Sequence, residues 1–269
     1  MAIPDFDSTT TIAAQLFDDV AIALRTRSLS LWFEQRQVLH AIDLAVPAER
    51  ILAVIGPSGS GKTSLLRCLN RLNEEVHGCR IDGEVLLDGT DLLSAAVPVH
   101  EVRRRVGMVF PAPNPFPLSI YENVAYGLRL LGLRRDVLDA PVEDALRAVA
   151  LWDEVADRLD APAPALTPGQ QQRLAIARAL ALQPQVLLMD EPAAALDPQS
   201  TLHLEDLLRR LGRRCAIVLA THNLQQAARV SDYAAFISEG RLIEVNDTDT
   251  LFTNPLRRET EDYVTGRYG

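Results

Sequence analysis

The fold is decided by residues 51–69, which read Ile-Leu-Ala-Val-Ile-Gly-Pro-Ser-Gly-Ser-Gly-Lys-Thr-Ser-Leu-Leu-Arg-Cys-Leu. Residues 56–63 fit the phosphate-binding pattern G-x-x-x-x-G-K-[ST]. The apolar run before them is typical of a buried strand, and the leucines after them have helical spacing. A strand, a glycine-rich loop and a helix N-terminus together form an anion site, because backbone N–H groups and the helix dipole favour negative charge. The stretch predicts a nucleoside triphosphate site.

Lys62 is the only lysine of a chain that has 27 lysines and arginines. A compact, flexible ammonium suits contact with phosphates, and the planar fork of arginine is a poor substitute there. We expect Lys62 to span the β- and γ-phosphates and the Thr63 hydroxyl to ligate Mg²⁺. The loop residues expected to contact the nucleotide are Gly56, Ser58, Gly59, Ser60, Gly61, Lys62, Thr63 and Ser64.

Composition limits the classes of function. With 269 residues, 48% of them hydrophobic, the chain can bury a substantial core. Its net charge of −9 argues against nucleic acid as a partner, which would favour a basic face. No apolar run approaches the ~20 residues that cross a bilayer. The three cysteines have no metal-binding spacing, so we expect reduced thiols in a cytosolic protein.

The pattern of apolar residues predicts an α/β fold in which a helical segment is inserted. Residues 1–25 are interpreted as an N-terminal extension and residues 26–269 as one domain, with a helical insert at about 116–172. Strands alternating with helices imply a parallel sheet that binds ligands at the carboxyl ends of its strands. The expected strands are Ser28–Phe33, Val38–Val46, Ile51–Ile55, Gly83–Leu87, Val106–Phe110, Val186–Met189 and Ala216–Ala220.

Two carboxylates and a histidine follow predicted strands, where they can meet the loop. Asp190 and Glu191 lie at the end of an apolar strand, and carboxylates there are costly without a cation or a reaction to serve. We expect Asp190 to hold Mg²⁺ through water and Glu191 to orient and deprotonate the attacking water. His222 is expected near the γ-phosphate, so the catalytic set is Lys62, Glu191 and His222. A polar strand end and a structural histidine are the alternatives.

The order of the motifs resembles the ATPase subunits of ABC transporters, and within them the ATPase of the bacterial phosphate importer. The superfamily likeness is carried by residues 56–63, Leu166–Gln170, Leu188–Pro192, Ala195–Asp197 and Thr221-His222. The finer likeness is carried by Gly107–Phe110, Pro113–Pro117, Ser119–Tyr121, Asn123, Gln170–Leu174 and the tail Thr260–Gly269. The likeness runs from about residue 27 to the C-terminus.

The resemblance implies a RecA-like core with an antiparallel β lobe and a helical insert. ATP would lie between the phosphate-binding loop of one subunit and the signature segment, residues 166–170, of another. Thr167, Gly169 and Gln170 are then nucleotide contacts, and Asp197 belongs to the D-loop, residues 195–197, which crosses the dimer interface. Phe33 falls where the family stacks an aromatic ring on adenine, with a core aromatic as the alternative. Asp197-Pro198 is also an ordinary helix start.

The resemblance also implies partners. They are two transmembrane permease subunits, a second ATPase subunit and an extracytoplasmic phosphate-binding protein. The chain would lie peripherally on the cytoplasmic face of the inner membrane, with ATP and Mg²⁺ as cofactors. Because an ATPase subunit does not touch the transported ion, another oxyanion is the alternative to phosphate.

Two residues depart from the family pattern. Pro111 stands where the family has a glutamine that reaches Mg²⁺ and links the site to the permease. Pro168 stands in the signature segment, where the family usually has Ser-Gly-Gly-Gln, and it removes one backbone N–H. Three interpretations follow: a working ATPase with slow or altered coupling, one half of a heterodimer, or a regulatory subunit without turnover. Joint retention of Lys62, Asp190, Glu191 and His222 argues against the third, because a pure scaffold needs no general base.

Overall fold

The computed structural model describes residues 16–17 and 20–267. Most of the expected N-terminal extension and the last two residues of the family-like tail therefore lie outside the described residues. The described strands are β1 (Ile22–Phe33), β2 (Arg36–Ile42), β3 (Ala45–Pro47), β4 (Ile51–Ile55), β5 (Cys79–Leu87), β6 (Thr90–Asp91), β7 (Val106–Val109), β8 (Val186–Asp190), β9 (Ala216–Ala220), β10 (Tyr233–Ser238) and β11 (Arg241–Asp247).

The described helices include several short ones. They are α1 (Lys62–Leu69), α2 (Val99–Arg105), α3 (Ile120–Leu130), α4 (Asp139–Ala148), α5 (Trp152–Val155), α6 (Pro168–Leu180), α7 (Pro198–Leu211), α8 (Leu224–Val230), α9 (Thr248–Thr253) and α10 (Arg258–Val264). Short 3-10 turns lie at Leu72–Glu75, Arg135–Val137 and Ala163–Ala165.

The larger sheet has the strand order β11-β10-β4-β9-β8-β7. Its strands pair in parallel except β11, which is antiparallel to β10. Every residue of β4, β8 and β9 is buried, as expected for parallel strands covered on both faces. The predicted parallel sheet is confirmed, and the carboxyl ends of β4, β9 and β8 lie side by side at one edge.

The smaller sheet is antiparallel, with the order β2-β1-β5-β6 and with β3 also pairing with β1. The strand predicted at Ser28–Phe33 begins earlier, at Ile22, because Leu24 and Arg25 already pair with β5 and β3. Residues 22–25, assigned to the N-terminal extension, therefore belong to this strand.

The strand predicted over Val38–Val46 is wrong as one element, because it is divided into β2 and β3. The Thr26 hydroxyl donates to the Ile42 carbonyl at 2.7 Å and accepts from the Leu44 N–H at 2.9 Å. Asp43 accepts from the Ser28 N–H at 2.7 Å. These bonds replace regular ladder pairing at the point where the chain moves from one half of β1 to the other.

The helical region contains α3, α4 and α5, as the sequence predicts, and it packs with α6 and α7 in one hydrophobic cluster. The proline-dense stretch before α3 is not helical, as expected. Asn123 is fully buried and binds the Phe116 N–H at 2.8 Å, which fixes this stretch on α3. Because α6 runs on to Leu180, the predicted insert ends inside this helix, and its bounds remain a prediction.

Burial makes two of the three cysteines unreactive. It raises the pKa of Cys68 to about 12 and that of Cys215 to about 11, so both thiols stay protonated near neutral pH. Cys79 is half-buried, and burial raises its pKa as well. Within residues 16–17 and 20–267, none of the helices has the length and apolar character needed to cross a membrane.

Candidate active site

The phosphate-binding loop connects β4 to α1 at the carboxyl edge of the larger sheet. A Cβ on Gly56 would lie 2.1 Å from the Ile237 carbonyl oxygen, so only glycine lets the loop pass β10. Gly61 has φ 104° and begins α1 without a side-chain cap, which leaves the helix N-terminus open to a ligand. Ser60 Oγ is buried without a hydrogen-bond partner among the described residues. An open helix end and an orphan hydroxyl fit a phosphate group.

Lys62 lies folded against its own loop. Its side chain is buried, and Nζ donates to the carbonyls of Gly56 at 2.8 Å and of Pro57 at 2.9 Å. Burial lowers the pKa of Lys62, and the charges of Glu191 and Asp190 oppose that effect. An ammonium has three donors, so these two bonds leave one for a phosphate oxygen.

A hydroxyl and a carboxylate meet beside the loop, in the position predicted for a metal. Thr63 Oγ1 donates to Asp190 Oδ1 at 2.9 Å, which joins α1 to the end of β8. Asp190 is buried, and this raises its pKa, while the Thr63 bond and the charge of Arg67 oppose the rise. Oxygen ligands of this kind are those that Mg²⁺ prefers. The pair can hold one Mg²⁺ on the phosphate side of β8.

Glu191 and His222 form a pair at the same edge. Glu191 Oε2 lies 2.9 Å from His222 Nδ1, although the two residues follow different strands. Glu191 has φ 43°, and its N–H donates to the Ala220 carbonyl at 2.8 Å. This left-handed turn directs the carboxylate out of the sheet, towards His222.

The signature segment forms the start of α6. The Thr167 N–H donates to Gln170 Oε1 at 3.0 Å, and the Gln170 N–H donates to Thr167 Oγ1 at 3.3 Å. Pro168 is the first residue of the helix, where its missing N–H has no intrahelical partner to lose. Gln170 Nε2 also donates to Glu154 at 2.8 Å. The side chain of Gln170 is thus engaged within its own subunit.

Asp197 begins α7, so its predicted capping role is confirmed. Its carboxylate accepts from the Ser200 N–H at 3.0 Å and from the Ser200 hydroxyl at 2.5 Å. These bonds lower the pKa of Asp197, the hydroxyl contributing most. Whether Asp197 also crosses a dimer interface stays a prediction.

Phe33 lies at the end of β1, opposite Cys79 of β5, and packs half-buried against the core. Its neighbour Trp32 has the guanidinium of Arg80 over its ring at 3.7 Å. One face of Trp32 is therefore covered, and Phe33 stays the candidate for stacking on adenine.

Pro111 follows β7, which is the strand next to β8 and Asp190. The carbonyl of Phe110, just before it, accepts from Gln172 Nε2 at 3.2 Å, and Gln172 is fully buried. This bond ties α6 to the segment that carries Pro111. Sequence reasoning missed Gln172, because nothing in the run of three glutamines distinguishes it.

An open pocket of about 430 Å³ lies beside Glu191 and His222. Leu196, Pro198 and Gln226 also line it, so the pocket is bounded by residues of α7 and α8 as well as by the Glu191–His222 pair. The structure thus brings Lys62, Thr63, Asp190, Glu191 and His222 to one sheet edge and leaves the signature segment on α6.

The family whose profile matches the chain is the ABC transporter family, over residues 39–194. The chain is similar to curated bacterial proteins over nearly its whole length. The phosphate import ATP-binding protein PstB 1 of Yersinia pestis bv. Antiqua (strain Antiqua) is 57% identical over 256 residues, which are 95% of each chain. The protein of the same name from Vibrio parahaemolyticus serotype O3:K6 is 55% identical over 252 residues, 93% of each chain.

Solved structures of similar fold include a transporter subunit and an exporter. CbiO1 from Clostridium perfringens, part of the ABC transporter complex cbiONQ, has a TM-score of 0.76 and 26% identity. That alignment covers 87% of this chain and 92% of cbiO1. A bacterial Atm1-family ABC exporter with ATP bound has a TM-score of 0.74 and 26% identity, over 94% of this chain and 44% of the exporter.

Proposed function

Because the chain belongs to the ABC transporter family, and within it to the phosphate import ATP-binding proteins, we propose that it drives the import of inorganic phosphate. Members of this family are ATP-binding subunits that hydrolyse ATP, and the chain is such an ATPase. The observation that carries the proposal is the 57% identity to a phosphate import ATP-binding protein over 95% of the chain, and the Glu191–His222 pair beside Lys62 and the Thr63–Asp190 contact supports ATP hydrolysis. Binding groups and a general base therefore occur together at one edge.

Each residue of the site has a chemical role in hydrolysis. Lys62 and the N-terminus of α1 bind the phosphates and stabilise charge that develops on the γ-phosphate oxygens. Glu191 accepts a proton from the attacking water, and His222 Nδ1 lies 2.9 Å from its carboxylate. Thr63 and Asp190 would hold Mg²⁺, which neutralises phosphate charge when bound. His222 would lie near the γ-phosphate.

A complete site requires a second ATPase subunit in this proposal. Thr167 and Gly169 at the start of α6 would contact the nucleotide bound to the partner's phosphate-binding loop, because a helix N-terminus favours anions. Two permease subunits would receive the movement, and an extracytoplasmic phosphate-binding protein would deliver the ion. The chain would then lie peripherally on the cytoplasmic face of the membrane.

The transported ion is tested by uptake into vesicles. The chain is reconstituted with its permease subunits and binding protein, and uptake of radiolabelled phosphate is measured with ATP inside the lumen that faces the ATPase. We expect uptake that excess unlabelled phosphate abolishes and excess sulfate does not. Competition by sulfate as strong as that by phosphate would favour an importer of another oxyanion.

Pro111 should weaken coupling to the permease, because it has neither a side-chain amide nor a backbone donor. Replacing it by glutamine should raise permease-stimulated ATP hydrolysis about twofold to tenfold, the effect of one net hydrogen bond. Hydrolysis is measured in reconstituted vesicles, with and without the permease.

The matched control is Pro113→Gln, which makes the same change in the same loop and should leave stimulated hydrolysis within about twofold, the range of an ordinary surface substitution. An unchanged rate for Pro111→Gln, or an equal rise for both variants, would count against a coupling role for position 111.

Pro168 should slow ATP hydrolysis at the partner's phosphate-binding loop. It removes a backbone N–H from the helix end that would face the partner's nucleotide. Replacing it by glycine should raise kcat about tenfold, as expected for one hydrogen bond to a charged phosphate. The melting temperature should fall slightly, because glycine at the first helical position lacks the fixed φ of proline. Steady-state hydrolysis and thermal unfolding measure the two effects.

Pro164→Gly is the control for this variant, since Pro164 lies in the 3-10 turn before α6 and not at its first position. We expect it to leave kcat unchanged. A kcat for Pro168→Gly equal to that of the original chain would show that the missing donor does not limit turnover.

Pro168 also supports a second arrangement, in which this chain pairs with a different ATPase subunit. One composite site would then combine this phosphate-binding loop with an unaltered signature segment, and the other would be weak. Mixing the chain with Glu191→Gln copies of itself tests this arrangement. A homodimer in which both sites are needed loses activity steeply as the inactive fraction rises, whereas a chain that needs another subunit shows little activity at any ratio.

A further inference from the structure

The start of α6 packs directly on the start of α7. A Cβ on Gly169 would lie 2.8 Å from Ser200 Oγ and 3.2 Å from Ser200 Cβ, so a side chain there would force the Ser200 side chain to shift. Gly169 belongs to the signature segment, and Ser200 lies in the first turn of the helix that Asp197 begins. The signature segment of this chain therefore touches the helix that follows its own D-loop.

Ser200 also holds Asp197 through both carboxylate oxygens. Its N–H donates to Oδ1 at 3.0 Å, and its hydroxyl donates to Oδ2 at 2.5 Å. Both bonds have an ionised acceptor, and such bonds are the stronger ones. The hydroxyl that limits the space beside Gly169 is thus the same group that orients Asp197.

The chain between Asp197 and Glu191 is short and hydrogen-bonded. The Ala194 N–H donates to the Glu191 carbonyl at 3.0 Å, and the Leu196 N–H donates to the Ala193 carbonyl at 3.1 Å. Consecutive turns of this kind give the segment little freedom. A displacement of Asp197 therefore moves the backbone that carries the general base.

We propose that Ser200 is a positioning residue. A shift of the signature segment would move Ser200, and Ser200 would in turn shift Asp197 and Glu191. The inference rests on the proposed function, in which Thr167 and Gly169 serve the nucleotide of a partner subunit. Nucleotide binding to the partner subunit displaces the start of α6. Because Gly169 contacts the Ser200 hydroxyl, that displacement also moves the hydroxyl. The two composite sites are then linked through one side chain within each subunit.

The experiment is a double-mutant cycle on ATP hydrolysis by the chain reconstituted with its permease. Ser200→Ala removes the bond to Asp197 and should lower kcat about tenfold, the effect of one charge-assisted hydrogen bond, with KM for ATP within twofold. Gly169→Ala adds the clashing Cβ and should lower kcat at least as much. In the double variant the nearest clash is gone, so its loss should be clearly smaller than the product of the single losses.

Thr201→Ala is the matched control, because its hydroxyl donates to the Asp197 backbone carbonyl at 3.0 Å and not to the carboxylate. We expect kcat within twofold of the original chain. Losses that multiply in the double variant, or a Thr201→Ala loss equal to that of Ser200→Ala, would overturn the proposal. Phosphate uptake is measured in the same vesicles. Loss of uptake with intact ATP hydrolysis would contradict phosphate as the substrate, and the double-mutant cycle on hydrolysis could still be interpreted.

Discussion

Replacing Glu191 by glutamine should lower ATP turnover by about a hundredfold to ten-thousandfold, the usual contribution of a general base. The glutamine amide occupies the same space and still contacts His222, but it cannot take the proton of the attacking water. ATP binding should persist, because Lys62 and the Thr63–Asp190 contact are unchanged. Single-turnover hydrolysis and equilibrium binding of ATP measure the two effects on the same preparation.

Glu143→Gln is the control, since Glu143 pairs with Arg147 on the surface of α4 and makes the same change of charge. It should leave both measurements unchanged. Hydrolysis by Glu191→Gln at the original rate would remove Glu191 from the role of base. A parallel loss of ATP binding would show that the carboxylate acts in binding instead.

Replacing Lys62 by alanine should weaken ATP binding about tenfold if one charged hydrogen bond is lost, and about a hundredfold or more if both phosphates are contacted. The change also leaves the carbonyls of Gly56 and Pro57 without their donor. Lys62→Arg keeps the charge but should bind weakly as well, because the planar guanidinium cannot fold back on the loop as the ammonium does. Isothermal titration with ATP measures each affinity.

Because Lys62 is the only lysine, amine chemistry reports on it directly. Burial lowers the pKa of Lys62, so its uncharged amine forms at a lower pH than that of an ordinary lysine. We expect acetylation of Lys62 to begin at that lower pH. ATP should protect Lys62 but not the N-terminal amine, and the Lys62→Ala chain gives the blank. Near-normal affinity in Lys62→Ala, or acetylation that ATP does not slow, would contradict the assigned role.

The nucleotide-binding half of the site can be predicted from sequence because its signals are local. Residues 56–63 form one continuous loop, and Asp190 and Glu191 follow an apolar strand whose carboxyl end a parallel sheet places beside that loop. His222 follows a strand in the same way. Topology alone is enough to bring these residues together.

Contacts between distant parts of the chain could not be predicted in this way. The predicted strand Val38–Val46 is divided near Asp43 because the Thr26 hydroxyl binds the Ile42 carbonyl and the Leu44 N–H. The alternation of apolar residues does not predict these two bonds. Ser200 looks like an ordinary residue of a first helical turn until α6 is seen to pack against it. Packing of one helix on another decides such contacts, and apolar periodicity does not specify which polar side chains meet.

The central claim is that ATP hydrolysis by this chain drives phosphate import. The most direct test measures phosphate uptake and ATP hydrolysis together, in vesicles that contain the chain, its permease and its binding protein. The original chain should hydrolyse ATP and accumulate phosphate, and vesicles with Glu191→Gln should bind ATP while losing both activities. Phosphate accumulation at the same rate with Glu191→Gln, or with no ATP hydrolysed by the original chain, would contradict the account.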